Sequence, residues 1–535
     1  MRLLANKTSC RCGVALLLLF ITIGITAAAM PVPVRKKPVK SAPIAERKLP
    51  SARNLAQLKQ QLRTLINNPE LAAAQIGVSI MTETDARVIF EQDAHKLLVP
   101  ASNMKLYTTA AALVQLGANY RIRTSVYAPV RPDEKGVIKG NLILYGRGDP
   151  GLASRFIDYG EKKYFELLTE QLISAGVKLI EGDLIADESY LSGSPLGKGW
   201  EWLDLQWQFG AEVSALTVHD NSVQVSLQPG AKVGDPCIIR ISPEVGYVSV
   251  ENRIQTIAAG GKRELGINRG LQDNSLLVWG QMPVDDTGFQ AYLAVHRPAG
   301  LAAALFQAAL LKAGIRITGG IKIADASLRS QVPPSRIEES KLIELAYLES
   351  PPLSELVRVV NKFSQNLYAE LLLRILGRLK GTPTRDSDEA GVEVLKEVLR
   401  TAGIDPNELV INDGSGLSRR TLVTTATTAR LLAFMSRQPT AQIFLDSLPI
   451  AAIDGTLTKR MSGTPASDNV RAKTGTLSYT TALSGYVTTG AGERLVFSII
   501  INHFTEESRV ARTIEDGICA LLAAYSHKLE GKRRP

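Results

Sequence analysis

The chain has 535 residues, 45% hydrophobic and 21% charged, a balance that fits a soluble globular protein with room for two to four domains and a substantial core. Its net charge of +10 does not mark a nucleic-acid surface: residues 1–29 carry +3, residues 30–49 +5 and residues 526–535 +3, leaving 50–525 at −1. The folded body therefore has no excess of basic charge, and only the tails offer weak attraction to an anionic membrane or wall polymer.

The N-terminus reads as an export signal over residues 1–29. Arg2, Lys7 and Arg11 precede an apolar run from Gly13 to Ile25, and Ala27-Ala28-Ala29 follows as a small-residue cleavage site. An uncleaved anchor is the alternative, since Gly13 to Met30 is just long enough to span a bilayer. Either way the expected location is periplasmic or otherwise extracytoplasmic. Residues 30–52, rich in Pro, Lys and Arg, read as an extended tether. Cys10 and Cys12 lie in the signal. Cys237 and Cys519 remain, and because Cys519 sits on the apolar side of a helical pattern, buried free thiols are expected over a disulfide.

The first part of the body, 53–121, opens with a helix over Leu55–Ile66 and a hairpin formed by Gly77–Thr82 and Ala86–Gln92. Ser102-Asn103-Met104-Lys105 follows and runs into an apolar helix that ends near Leu116; it is the one Ser-x-x-Lys in the chain. Residues three apart share a helix face, so a hydroxyl and an amine meet one turn apart, a nucleophile beside a base.

Residues 122–330 read as short strands broken by Gly, Pro, Asp and Asn: Thr124–Ala128, Val137–Tyr145, Val213–Leu227, Ile238–Ile241, Ser275–Gln281 and Gln290–His296. Helices are expected near Tyr164–Ala175 and Leu301–Ala313. From 331 to 525 the pattern turns helical on either side of Ser364-Gln365-Asn366, and again over Glu389–Ala402. Three strands close the body, Val470–Leu477, Thr481–Thr488 and Arg494–Asn502. A last helix follows, with Val510, Ile514, Ile518, Leu521 and Tyr525 on one face. Residues 526–535 form a basic tail.

Ser-x-x-Lys, Ser-x-Asn and Lys473-Thr474-Gly475, in that order, are the signature set of β-lactamases and penicillin-binding proteins. With Gly148-Asp149-Pro150, Val213-Ser214-Ala215-Leu216, Asp413 to Arg419, Ser447 to Ile450 and Asp454 to Leu457, the chain after about residue 50 resembles the class C low-molecular-mass penicillin-binding proteins. These are D-alanyl-D-alanine carboxypeptidase/endopeptidases. The resemblance implies an α+β peptidase domain, an antiparallel sheet with flanking helices, with one or two strand-rich domains inserted between the first two motifs.

It also implies a serine peptidase acting on peptidoglycan stem peptides and acylated by β-lactams. Ser102 is then the nucleophile and Lys105 the base, its pKa held down by repulsion from Lys473. Ser364 passes a proton to the leaving amine, and Asn366 holds the peptide amide and positions Lys105. Lys473, Thr474 and Thr476 bind the terminal carboxylate, and the N–H groups of Ser102 and Thr476 form the oxyanion hole. Gly475 lets the strand approach the substrate backbone, and Arg419 contacts substrate.

Ser467-Asp468-Asn469 matches Ser-Asp-Asn more literally than Ser364-Gln365-Asn366. It lies just ahead of Lys473 on the same run, so it cannot form the opposite wall of a cleft. The five histidines are scattered without metal-ligand spacing, and no Gly-x-Ser-x-Gly occurs; neither a metal nor a cofactor is expected. The alternative function is a penicillin-binding or wall-sensing protein that forms the acyl-enzyme without turning it over.

Overall fold

Two apolar cores lie on opposite faces of one antiparallel sheet, and the strand Arg494–Asn502 shows how. Phe497, Ile499 and Ile501 point to one core while Val496 and Ile500 point to the other, as a two-residue period requires. The computed structural model describes residues 52–156, 164–325, 341–505 and 508–529, all within the unit Ile44–Pro535. The export signal, nearly all of the tether and most of the basic tail lie outside the described residues. Among the described residues no helix is long and apolar enough to cross a membrane.

The sheet has the order Arg471–Leu477, Thr480–Thr488, Arg494–Asn502, Gln75–Thr82, Val88–Gln92, every pair antiparallel. On one face pack the helices Leu55–Ile66 and Ser508–Ala524, through Leu58, Leu62, Ile514 and Ile518. On the other lies a helical cluster whose centre is Met104–Leu116, buried without a break from Met104 to Leu113. A helix buried all round is a core element, so what it carries at its start is held rigidly. Leu353–Lys362, Asn366–Lys380 and Ser387–Thr401 surround it.

The residues between the first two motifs build a separate core, with helices Tyr164–Ser174 and Pro298–Lys312 and four small sheets. The fold is thus α+β, with strand-rich matter inserted into the body built on the first sheet. One five-stranded sheet orders Ile321–Ala324, Leu184–Asp187, Leu142–Tyr145, Arg123–Ala128 and Ile343–Glu349. Its last strand lies beyond residue 330, the edge expected for the insert, because Ile343–Glu349 pairs antiparallel with Arg123–Ala128.

Two expected strands differ. Val137–Tyr145 is two strands in different sheets, Val137–Lys139 and Leu142–Tyr145, parted where Gly140 takes φ +130°. Val213–Leu227 is a strand only over Ser222–Gln228, because His219, Asp220 and Asn221 all adopt positive φ just before it. Cys237 and Cys519 are free and buried, the latter in the apolar seam of Ser508–Ala524.

Candidate active site

Ser102 lies on a single 3-10 turn, Ala101–Asn103, that leads into the central helix. Two glycines make room for this turn. A Cβ on Gly416, whose φ is +76°, would stand 1.9 Å from the Ala101 carbonyl oxygen, and one on Gly475 would stand 2.6 Å from that of Pro100. Gly475 therefore lets the strand seat closely against the turn that carries Ser102.

The Lys105 side chain, 0% exposed, places its amine 2.9 Å from Ser102 Oγ, 2.6 Å from Asn366 Oδ1 and 2.7 Å from the Ser415 carbonyl. Asn366 Nδ2 donates to the Phe209 carbonyl at 2.8 Å, which fixes the amide with its oxygen toward the lysine. Of the three partners, two can only accept. A neutral amine has two N–H donors and one lone pair, so with the donors spent on Asn366 Oδ1 and Ser415 O, the lone pair meets the one partner with a proton to give, Ser102. Burial lowers the Lys105 pKa to about 7, against the opposing pull of the Asp413 and Glu370 carboxylates. The expectation placed repulsion from Lys473 first; desolvation is the larger cause, and the repulsion falls on Lys473.

Lys473 is equally buried, and its pKa lies well below the ordinary lysine value, through burial and then through Lys105. Its amine donates to Ser364 Oγ at 2.9 Å and to the Thr474 carbonyl at 2.8 Å. Ser364 itself takes φ +60°, between the helices Leu353–Lys362 and Asn366–Lys380. A non-glycine residue in the left-handed region is a strained position, here at the mouth of the site. Ser467 lies in a turn, and the neighbouring Asn469 ties that turn to the next strand through the Thr488 carbonyl and N–H, at 2.7 and 2.9 Å.

The strand Arg471–Leu477 is at the edge of its sheet. Ala472 N–H donates outward to the Pro449 carbonyl at 2.9 Å, so by strand period the N–H groups of Thr474 and Thr476 also face outward. Beyond Ala472, no strand among the described residues pairs with that edge. At the far end, Arg419 Nη1 donates to the Ser478 carbonyl at 3.0 Å, while its Nε is held by Glu201 Oε1 at 2.6 Å. Arg419 thus borders the open edge, tied to the insert.

Several participants escaped the sequence reading. Glu370 Oε1 accepts from the N–H groups of Gly414 and Ser415 at 3.0 and 2.8 Å, fixing the carbonyl that Lys105 uses. Burial and the nearby Asp413 raise the Glu370 pKa to about 7. Asp413 gathers Ser415 Oγ, the Ser418 N–H, Thr421 Oγ1 and, from the insert, Trp200 Nε1 at 3.2 Å. A lone Glu within the apolar helix Asn366–Lys380 was the available signal; the Phe209 carbonyl, a main-chain atom, gave none.

The profile of the D-Ala-D-Ala carboxypeptidase 3 (S13) family matches residues 58–525. The chain is 36% identical to a D-alanyl-D-alanine carboxypeptidase of an Actinomadura species, over 89% of this chain and 86% of that protein. It is 26% identical to the D-alanyl-D-alanine carboxypeptidase DacB of Haemophilus influenzae, over 86% and 90% of the two chains. The crystal structure of penicillin-binding protein 4 from H. influenzae superposes with a TM-score of 0.73 at 26% identity, covering 88% of this chain and 100% of that one. A complex of the same protein with a β-lactam gives 0.67 at 25% identity, over 87% and 98%. The chain belongs to the D-Ala-D-Ala carboxypeptidase 3 (S13) family.

Proposed function

We propose that this serine-type D-alanyl-D-alanine carboxypeptidase works through the circuit Ser364–Lys473 and Ser102–Lys105–Asn366. The arrangement of Lys105 carries the reading. Ser102 Oγ attacks the carbonyl between two D-alanines and its proton passes to Lys105 Nζ. The N–H groups of Ser102 and Thr476 hold the oxyanion, and Ser364 delivers a proton to the departing amine with Lys473 behind it. Water then hydrolyses the ester. Thr474 and Thr476 receive the terminal carboxylate, Asn366 holds the peptide amide, and Arg419 lies where the acyl side of an extended substrate would run. Gly475 shapes the floor.

Peptidoglycan stem peptides are the substrates and β-lactams the inhibitors. Export to the periplasm or cell exterior by residues 1–29, and weak attachment through the basic ends, complete the proposal, with 122–349 as the inserted body. The decisive test is to incubate the protein with penicillin and map the adduct by mass spectrometry, alongside product analysis on a pentapeptide and a cross-linked dimer. The adduct is expected on Ser102, with D-alanine released from the pentapeptide. An adduct on Ser364 or Ser415 overturns the assignment, and acylation without release favours a non-turnover binding protein.

A further inference from the structure

The edge strand sorts its side chains by face. Lys473 and Gly475 point toward the nucleophile turn, as the approach of Gly475 to Pro100 and Ala101 shows. Thr474 and Thr476 point the other way. There Thr474 Oγ1 lies 2.7 Å from Thr456 Oγ1, and Thr476 Oγ1 lies 3.4 Å from Nη2 of Arg512, a residue of the helix Ser508–Ala524. The Lys473 amine is committed elsewhere, to Ser364 and the Thr474 carbonyl. Its side chain is buried on the nucleophile side of the strand, away from the face that carries the two threonine hydroxyls.

Arg512 is placed for that task. The two carboxylates one turn along the same helix, Glu515 and Asp516, are taken by Arg460, whose Nη2 lies 2.8 and 2.6 Å from them. The same nitrogen reaches the Arg512 carbonyl at 3.4 Å, so the backbone that carries Arg512 is held while its guanidinium has no ion pair among the described residues. A substrate lying antiparallel along the open edge, with its scissile carbonyl at the Thr476 N–H, carries its terminal carboxylate about one residue, roughly 3.3 Å, toward Thr474. That point is within reach of both threonine hydroxyls and of a planar guanidinium, whose fork matches a carboxylate.

We infer that Arg512 is the cation that recognises the free terminal carboxylate of the substrate, with Thr474 and Thr476 as neutral donors, while Lys473 serves the proton side of the reaction. The inference rests on the reading of Ser102 as nucleophile. It makes Arg512 a specificity residue, separating substrates with a carboxylate next to the leaving nitrogen from those without one.

The test compares two probes, a tripeptide ending in D-alanyl-D-alanine and the same peptide as its C-terminal amide, on the parent, Arg512→Ala and Arg512→Lys. In Arg512→Ala the ratio of kcat/KM for acid over amide is expected to fall at least tenfold, mainly through KM on the acid. Arg512→Lys should regain part of that ratio. Circular dichroism and the melting temperature check folding; the Arg460 contacts use the main chain of residue 512 and survive both changes. A ratio unchanged in Arg512→Ala, an equal loss on both probes, or a lysine variant no more selective than alanine overturns the inference. Failure of the underlying reading looks different: Ser102→Ala would then keep hydrolysing the acid.

Discussion

The peptidase body and the insert approach the same cleft, but they contribute in different chemical forms. The body supplies side chains from regular elements: Ser102 and Lys105 from the start of a core helix, Asn366 from another, Lys473 from a strand. The insert supplies braces: the Phe209 carbonyl to Asn366, Trp200 Nε1 to Asp413, the Lys198 carbonyl to Ser418 Oγ at 2.6 Å, and Asp220 Oδ1 to the Tyr368 hydroxyl at 2.8 Å. On the proposed reading, chemistry resides in one region and its positioning is shared with the other. Changes in the body should act on rate in large steps, and changes in the insert in small ones.

The largest effect is expected at Lys105. Replacing it with Met should cost about 10²–10⁴-fold in acylation by penicillin, the usual contribution of a general base, read by stopped-flow or gel labelling. Retention of the parent rate would move the base elsewhere. Gly416→Ala comes next, because its Cβ would overlap the Ala101 carbonyl at 1.9 Å at a positive φ; a loss of about 3 kcal/mol in urea unfolding is expected, with weakened acylation. Since the Lys105 amine must be neutral to accept the Ser102 proton, kcat/KM should rise with pH through about 7 and then level. A profile flat from pH 5.5 to 8 would rule out Lys105 as the titrating base.

On the insert side, Trp200→Phe removes one of the donors to Asp413 and should cost about 1 kcal/mol of stability with a few-fold loss of turnover. A loss as deep as that of Lys105→Met would erase the distinction between the two regions. Ser467→Ala should be near neutral, because the hydrogen bonds of its turn to the adjacent strand come from Asn469 and main-chain groups.

This division also governs what could be read from the sequence. The lysine beside the serine follows from helix spacing alone, whereas the sequence reading gave Lys473, Thr474 and Thr476 one shared task that the strand period divides between two faces. Partners that act through a main-chain carbonyl, as Phe209 and Ser415 do, carry no side-chain signature. Arg512 had none either, since its approach to Thr476 depends on how the last helix packs beside the edge strand, a nonlocal fact. In the insert, Gly140 and the left-handed run at 219–221 broke apolar patterns that alternation alone would continue. The extra strand Ile343–Glu349 belongs to the insert by pairing, a nonlocal fact.

The open edge of Arg471–Leu477 has a consequence of another kind. Unpaired strand edges invite association with any other extended chain, and proteins ordinarily shield them. Here the loop through Pro449 covers the edge up to Ala472, and Arg419 occupies the carbonyl of Ser478. What remains is Lys473–Leu477, a span of about 16 Å. A strand belonging to a folded neighbour cannot lay a long edge into so short a slot, whereas the loose end of a short peptide can. The same boundary that, on the proposed reading, admits a wall peptide is too short for a neighbour's strand edge to pair along it.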